Sequence, residues 1–177
     1  MSLLLHKNKG AVMAIVDAIV MELEQEAGTT RRVLERVPED KFAWKPHPRS
    51  FSLGQLSMHL AGAQKVLAEM AYKDVHEIAM VPPREPTSRK QLLQVMDDST
   101  AGAKQILEKI DDARLPGIWT LTRNGKAILS IPRVAFIRSI LMNHIIHHRG
   151  QLSVYLRLLD VPVPSIYGPS ADENPFA

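Results

Sequence analysis

No proline interrupts the chain between Pro132 and Pro162, and most residues in between are apolar with helical spacing. A stretch of that length is too long for a strand, so a helix is expected from near Pro132 to about Asp160. Pro132 is tolerated in a first turn, where its missing N–H had no partner, and Pro162 pushes the residue before it out of helical backbone. Inside this run lies Asn143-His144-Ile145-Ile146-His147-His148-Arg149-Gly150-Gln151-Leu152. His144 and His148 stand four apart, so one turn of helix puts both rings on the same side, where they can grip one ion. The face that carries them also holds Ile137, Leu141, Gln151, Leu152, Tyr155 and Leu159, and is expected to turn inward. His147, three residues from His144, is the alternative to His148 as a ligand, although the four-residue pair suits both chelation and the apolar face better.

A two-histidine clamp needs a third ligand from elsewhere in the chain. The best candidate is His59, in Leu56-Ser57-Met58-His59-Leu60-Ala61-Gly62-Ala63, because it follows Leu56 by three and precedes Ala63 by four and so points inward. Taken alone, an inward histidine is more often a hydrogen-bonded core residue than a ligand. His47, between Pro46 and Pro48, and His76, in a proline-containing linker, are expected at the surface.

The remaining elements supply the framework. Apolar spacing predicts helix one over 11–37, closed by Pro38. Asp17 within it either faces solvent or orients a metal-bound histidine. The loop from Pro38 to Ser50 is expected to be ordered, with Phe42 and Trp44 as anchors. Ser52 followed by Gln55 has the capping-box pattern, which starts helix two and carries it to about Tyr72. Lys73 to Thr87, with Pro82, Pro83 and Pro86, reads as a linker, and Ser88 can cap helix three, running to about Ile110. Asn124-Gly125 between strand-like runs predicts a two-stranded hairpin ahead of the last helix. Gly62 and Gly150 each cost a helix roughly 0.8–1 kcal/mol against alanine, and close approach of two helices near the histidines would give a reason to keep them. Arg149 is expected to pair with a carboxylate on a neighbouring helix or chain. The tail from Val161 to Pro175 has no period and is expected to fold over the helices, tied by Ile166 and Tyr167.

Composition excludes several classes of function. At 177 residues, with 45% apolar and 23% charged, one domain over 1–177 is expected. A net charge of +3 with 5% aromatics offers neither a basic stripe nor a stacking platform, so no nucleic-acid partner is expected. There is no cysteine, which removes thiolate metal sites and a cysteine nucleophile and leaves only nitrogen and oxygen as ligands. Leu3-Leu4-Leu5 is too short for a signal peptide, and Asp17 and Glu22 interrupt Ala11 to Leu23, so a soluble, cytoplasmic protein without a membrane span is expected.

Three neutral imidazoles on a divalent ion would leave positions open for water or substrate, as in catalytic rather than structural sites. With Zn²⁺ a bound water is acidified towards pH ~7. Imidazole also suits Ni²⁺, Cu²⁺ and Fe²⁺. The protease pattern His-Glu-x-x-His is missing, because Ile145 follows His144. No local Ser-His-Asp arrangement and no phosphate-binding glycine loop is readable.

Asn143-His144-x-x-His147-His148-Arg149-Gly150-Gln151-Leu152, the inward His59 and the closing Val161-Pro162-Val163-Pro164-x-x-Tyr167-Gly168-Pro169 together resemble the DinB-like family of metalloenzymes, over nearly the whole chain. The resemblance implies an all-α fold, a four-helix bundle with a long crossover, the hairpin noted above adding a small β element before the last helix. It implies a homodimer and a divalent metal, Zn²⁺ or Ni²⁺, on His59, His144 and His148, with His147 left out. It also implies chemistry with a low-molecular-weight thiol such as bacillithiol or mycothiol, in a transferase or isomerase, and no DNA-binding element. The functional expectation is a metal-dependent enzyme, a thiol-dependent S-transferase or a hydrolase, acting on a small electrophilic molecule. The alternative is a non-catalytic helical bundle that binds a metal or small molecule. No catalytic residue beyond the ligands is identified.

Overall fold

Four helical rods and one small sheet make up the computed structural model, which describes residues 13–79 and 81–177. The expected start of helix one at Ala11 and the Leu3-Leu4-Leu5 patch lie outside the described residues. α1 spans Ile15–Leu34 and buries Val16, Ile19, Val20, Leu23, Ala27, Val33 and Leu34. Its first free N–H groups are met from another element: Ile15 and Val16 both donate to the carboxylate of Asp112, at 2.9 and 3.1 Å.

α2 (Leu53–Tyr72) begins at the expected capping box. Gln55 N donates to Ser52 Oγ at 3.2 Å and Ser52 N donates to Gln55 Oε1 at 3.0 Å. The loop before it closes down on the same turn, with Leu53 N donating to Trp44 O and Gly54 N to Phe42 O, both at 2.8 Å. The approach is tight enough that a β-carbon on Gly54 would stand 3.0 Å from Phe42 Cβ and from Pro86 Cδ. Glycine at 54 is therefore what lets Phe42 anchor the loop.

The segment expected to be a linker contains a short strand, β1 (Val75–Glu77). It pairs in parallel with β2 (Ile118–Arg123), which pairs antiparallel with β3 (Lys126–Pro132), so the sheet has three strands in the order β1-β2-β3. The all-α expectation with a two-stranded hairpin is thus short by one strand. His76 sits on β1, half-buried rather than exposed. The β2–β3 turn is built as its sequence dictates: Asn124 and Gly125 take φ of 51° and 72°, the left-handed pair that matches strand twist. Trp119 seats the sheet, its indole N–H donating to Met70 O at 2.9 Å and its ring lying 4.1 Å from that of Phe136.

α3 (Arg89–Leu107) is capped by Ser88, whose hydroxyl accepts from Gln91 N, and it stops one turn before Ile110. The last rod is not one regular helix. It comprises α4 (Arg133–Phe136), a π-helical stretch Ile137–Met142, and α5 (Asn143–Leu158). Arg133, almost wholly buried, donates to the terminal carbonyls of α2 at Ala71 and Lys73, joining the start of this rod to the end of α2. α1 and α2 each pack on both α3 and α5. The tail covers the helices as expected: Val163 and Ser165 are buried, Ile166 packs on the core, and Tyr167 reaches the interior through its hydroxyl. No helix among the described residues is long and apolar enough to cross a membrane.

Candidate metal centre

α2 and the last rod run side by side in opposite senses. Tyr155 donates to Phe51 O at one end, Arg133 reaches Ala71 O at the other, and His59 meets His144 between them. The buried positions of the last rod, Ile137, Leu141, Met142, Ile145, Arg149, Leu152 and Leu156, keep helical spacing through the π-helical stretch. His144 and His148 lie on the border of this stripe, half-buried.

At that border the structure brings together His59, His144 and His148. One nitrogen from each ring lies within 4.8 Å of the others, and all three rings are partly shielded from solvent. His59 Nε2 stands 2.8 Å from His144 Nε2. Ring centroids are 5.0 Å apart for His59 and His144, 4.6 Å for His59 and His148, and 4.3 Å for His144 and His148. Phe51 flanks the group, with its ring centroid 5.9 Å from that of His59. Gln151 Oε1 lies 2.8 Å from His148 Nδ1, a contact that sequence reasoning missed although the spacing of three on a helix could have signalled it.

Burial is the main cause of the electrostatic character here. It lowers the pKa of His59 and of His144, and the positive charge His148 would carry lowers both further. His144 also feels His59 and His147 and is pushed down to about 4. His148 is lowered by burial too, against a smaller opposing effect from Gln151. All three imidazoles are therefore neutral at pH 7, the form that ligates a metal.

The donor set fits a divalent ion. Nitrogens sharing a tetrahedral Zn²⁺ at 2.0–2.1 Å stand about 3.3 Å apart. His59 Nε2 and His144 Nε2, at 2.8 Å, stand closer than that, and no two ligand atoms of the group are more than 4.8 Å apart, which puts all three within reach of one ion.

The other candidates lie elsewhere. His147 is exposed and outside the group, its ring 5.0 Å from that of His148. His47 is exposed and accepts from Arg49 N. Asp17 faces solvent on α1, so of its two readings the solvent-facing one holds. Arg149 does pair with a carboxylate on a neighbouring helix, Glu26 of α1. The two glycines do not mark close helix contacts at the histidines. A β-carbon on Gly62 would meet only Val95 of α3, at 3.9 Å, and one on Gly150 would meet nothing within 4 Å.

A sequence profile of the DinB family matches residues 8–175. The chain is 22% identical over 167 residues to the protein YrdA of Bacillus subtilis, covering 89% of this chain and 91% of that one. Its fold is similar to a crystal structure of a DinB-like protein from Bacillus cereus, with a TM-score of 0.68 and 22% identity, covering 85% of this chain and 97% of the other. A DinB-like protein from Bacillus subtilis, YjoA, is similar with a TM-score of 0.63 and 21% identity, over 81% of this chain and 92% of that one.

Proposed function

The chain belongs to the DinB family, and from that premise we propose that it is a metal-dependent enzyme whose His59, His144 and His148 hold a divalent ion, Zn²⁺ or Ni²⁺. One observation carries this reading: three imidazoles from two separate helices meet at one point. Bound there, such an ion supplies Lewis acidity that brings the ionisation of a water or a thiol towards neutral pH. The chain's own part is to present three neutral nitrogens and to leave the rings half-open so that a small molecule can reach them. Because the chain has no cysteine, any thiol comes from outside it, and the reading takes it as a low-molecular-weight cosubstrate. The reaction class proposed is S-transfer to a small electrophile, or its hydrolysis.

The same reading takes the four rods as a four-helix bundle with one long crossover, and the molecule as a cytoplasmic homodimer; sedimentation of the purified chain reads the oligomeric state. Thermal-shift measurements on the metal-loaded protein with small thiols test the activity, since a ligand that prefers the folded state raises its melting point. No thiol-dependent shift at millimolar concentration would remove the transferase half.

A second reading is favoured by the 2.8 Å contact itself, which is a hydrogen-bond distance for two neutral imidazoles. In that case His59 and His144 are a satisfied polar pair within a non-catalytic binding protein. Metal content separates the two readings.

A further inference from the structure

Gln151 is exposed on α5, three residues beyond His148, yet its Oε1 sits 2.8 Å from His148 Nδ1. Ordering an exposed glutamine side chain costs rotamer entropy, and water competes for both partners. A carbonyl oxygen only accepts, so the proton of the neutral ring must be on Nδ1. The free lone pair of His148 is then on Nε2, the same atom through which His59 and His144 face each other.

We propose that Gln151 is the positioning residue of the three-histidine cluster: by accepting from Nδ1 it fixes His148 in the tautomer and ring orientation that turn Nε2 towards a bound ion. The inference rests on the metal reading above. An acceptor behind a ligating imidazole locks its rotation and makes it a better donor, and losing such a partner typically lowers metal affinity about 10–100-fold. A spacing of three on one helix lets α5 supply both the ligand and its holder, so the pair stays aligned without help from a loop. Gln151 is exposed, which makes it separable from folding.

The test uses the full chain purified without a histidine tag. Gln151→Leu removes the acceptor, and Gln151→Glu replaces it with a group that also only accepts. Zn²⁺ affinity is measured by competition with a chelator, and ¹⁵N shifts of the histidine rings in the chelator-treated protein report which nitrogen of His148 carries the proton. Gln151→Leu is expected to weaken Zn²⁺ binding about 10–100-fold, to move His148 away from the Nδ1–H form and to leave the melting temperature unchanged. Gln151→Glu is expected to restore both affinity and tautomer. Unchanged ring shifts in Gln151→Leu overturn the inference, as does an affinity that does not fall in that variant or does not recover in Gln151→Glu. A wild-type chain that binds no Zn²⁺ sinks the metal reading and the positioning role with it, whereas a wild type that binds Zn²⁺ no more tightly than Gln151→Leu overturns the positioning role alone.

Discussion

Arg149 of α5 and Glu26 of α1 form an ion pair of 2.6 Å with their side chains only 1% and 8% exposed. Arg149 also donates to Thr30 and to the Tyr167 hydroxyl, which itself donates to Glu26 at 2.8 Å, so the charges are hydrogen-bonded as well as paired. One residue back along α5, His148 projects to the border where the three rings meet. The same turn of helix thus carries a core pin and a candidate ligand.

Removing one member of that pair leaves the other charge buried alone. Glu26→Ala or Arg149→Ala is expected to lower stability by about 3–5 kcal/mol, whereas replacing both by apolar residues of similar size costs far less than the sum. Urea denaturation of the single and double variants checks this, and additive losses would contradict it.

The pH dependence follows from the lowered imidazoles. The unfolded chain protonates them near pH 6.5, the folded protein only at lower pH, about 4 for His144. Between those values the unfolded state holds more protons, so this stability is fully present above pH 6.5 and is lost as the pH falls towards 4. Melting temperatures with chelator present, measured from pH 7.5 to 4.5, should drop more steeply for the wild type than for His144→Gln. Parallel curves would show that the rings are not held neutral by burial.

Two glycines are expected to respond in opposite ways. Gly150 is exposed in mid-helix with open space around it, so Gly150→Ala should stabilise by about 0.8–1 kcal/mol. Gly54→Ala should destabilise, because its β-carbon would press on Phe42 and Pro86 at 3.0 Å. Thermal unfolding of the two variants reads both signs.

The features that were legible in the sequence are those fixed locally. Ser52 and Gln55 announce a helix start, Asn124-Gly125 demands left-handed backbone, and two histidines four apart on a helix must share a side. The features that were not legible depend on distant partners. β1 is three residues long and exists only because β2, far along the chain, pairs with it. Glu26 and Thr30 sit in what reads as the polar middle of α1, and they are buried because Arg149 and Tyr167 satisfy them. The π-helical stretch Ile137–Met142 leaves no mark in the pattern of apolar residues.

Metal content tests the central claim most directly. Wild-type chain purified without a tag, loaded with Zn²⁺ and desalted at pH 7.5, is compared by elemental analysis with His59→Ala, His144→Ala, His148→Ala and His147→Ala. Stoichiometric metal in the wild type and in His147→Ala, with little in the other three, is the predicted result. Metal retained by all four variants, or lost from His147→Ala as completely as from His148→Ala, would contradict the assignment of the three converging rings as the ion's ligands.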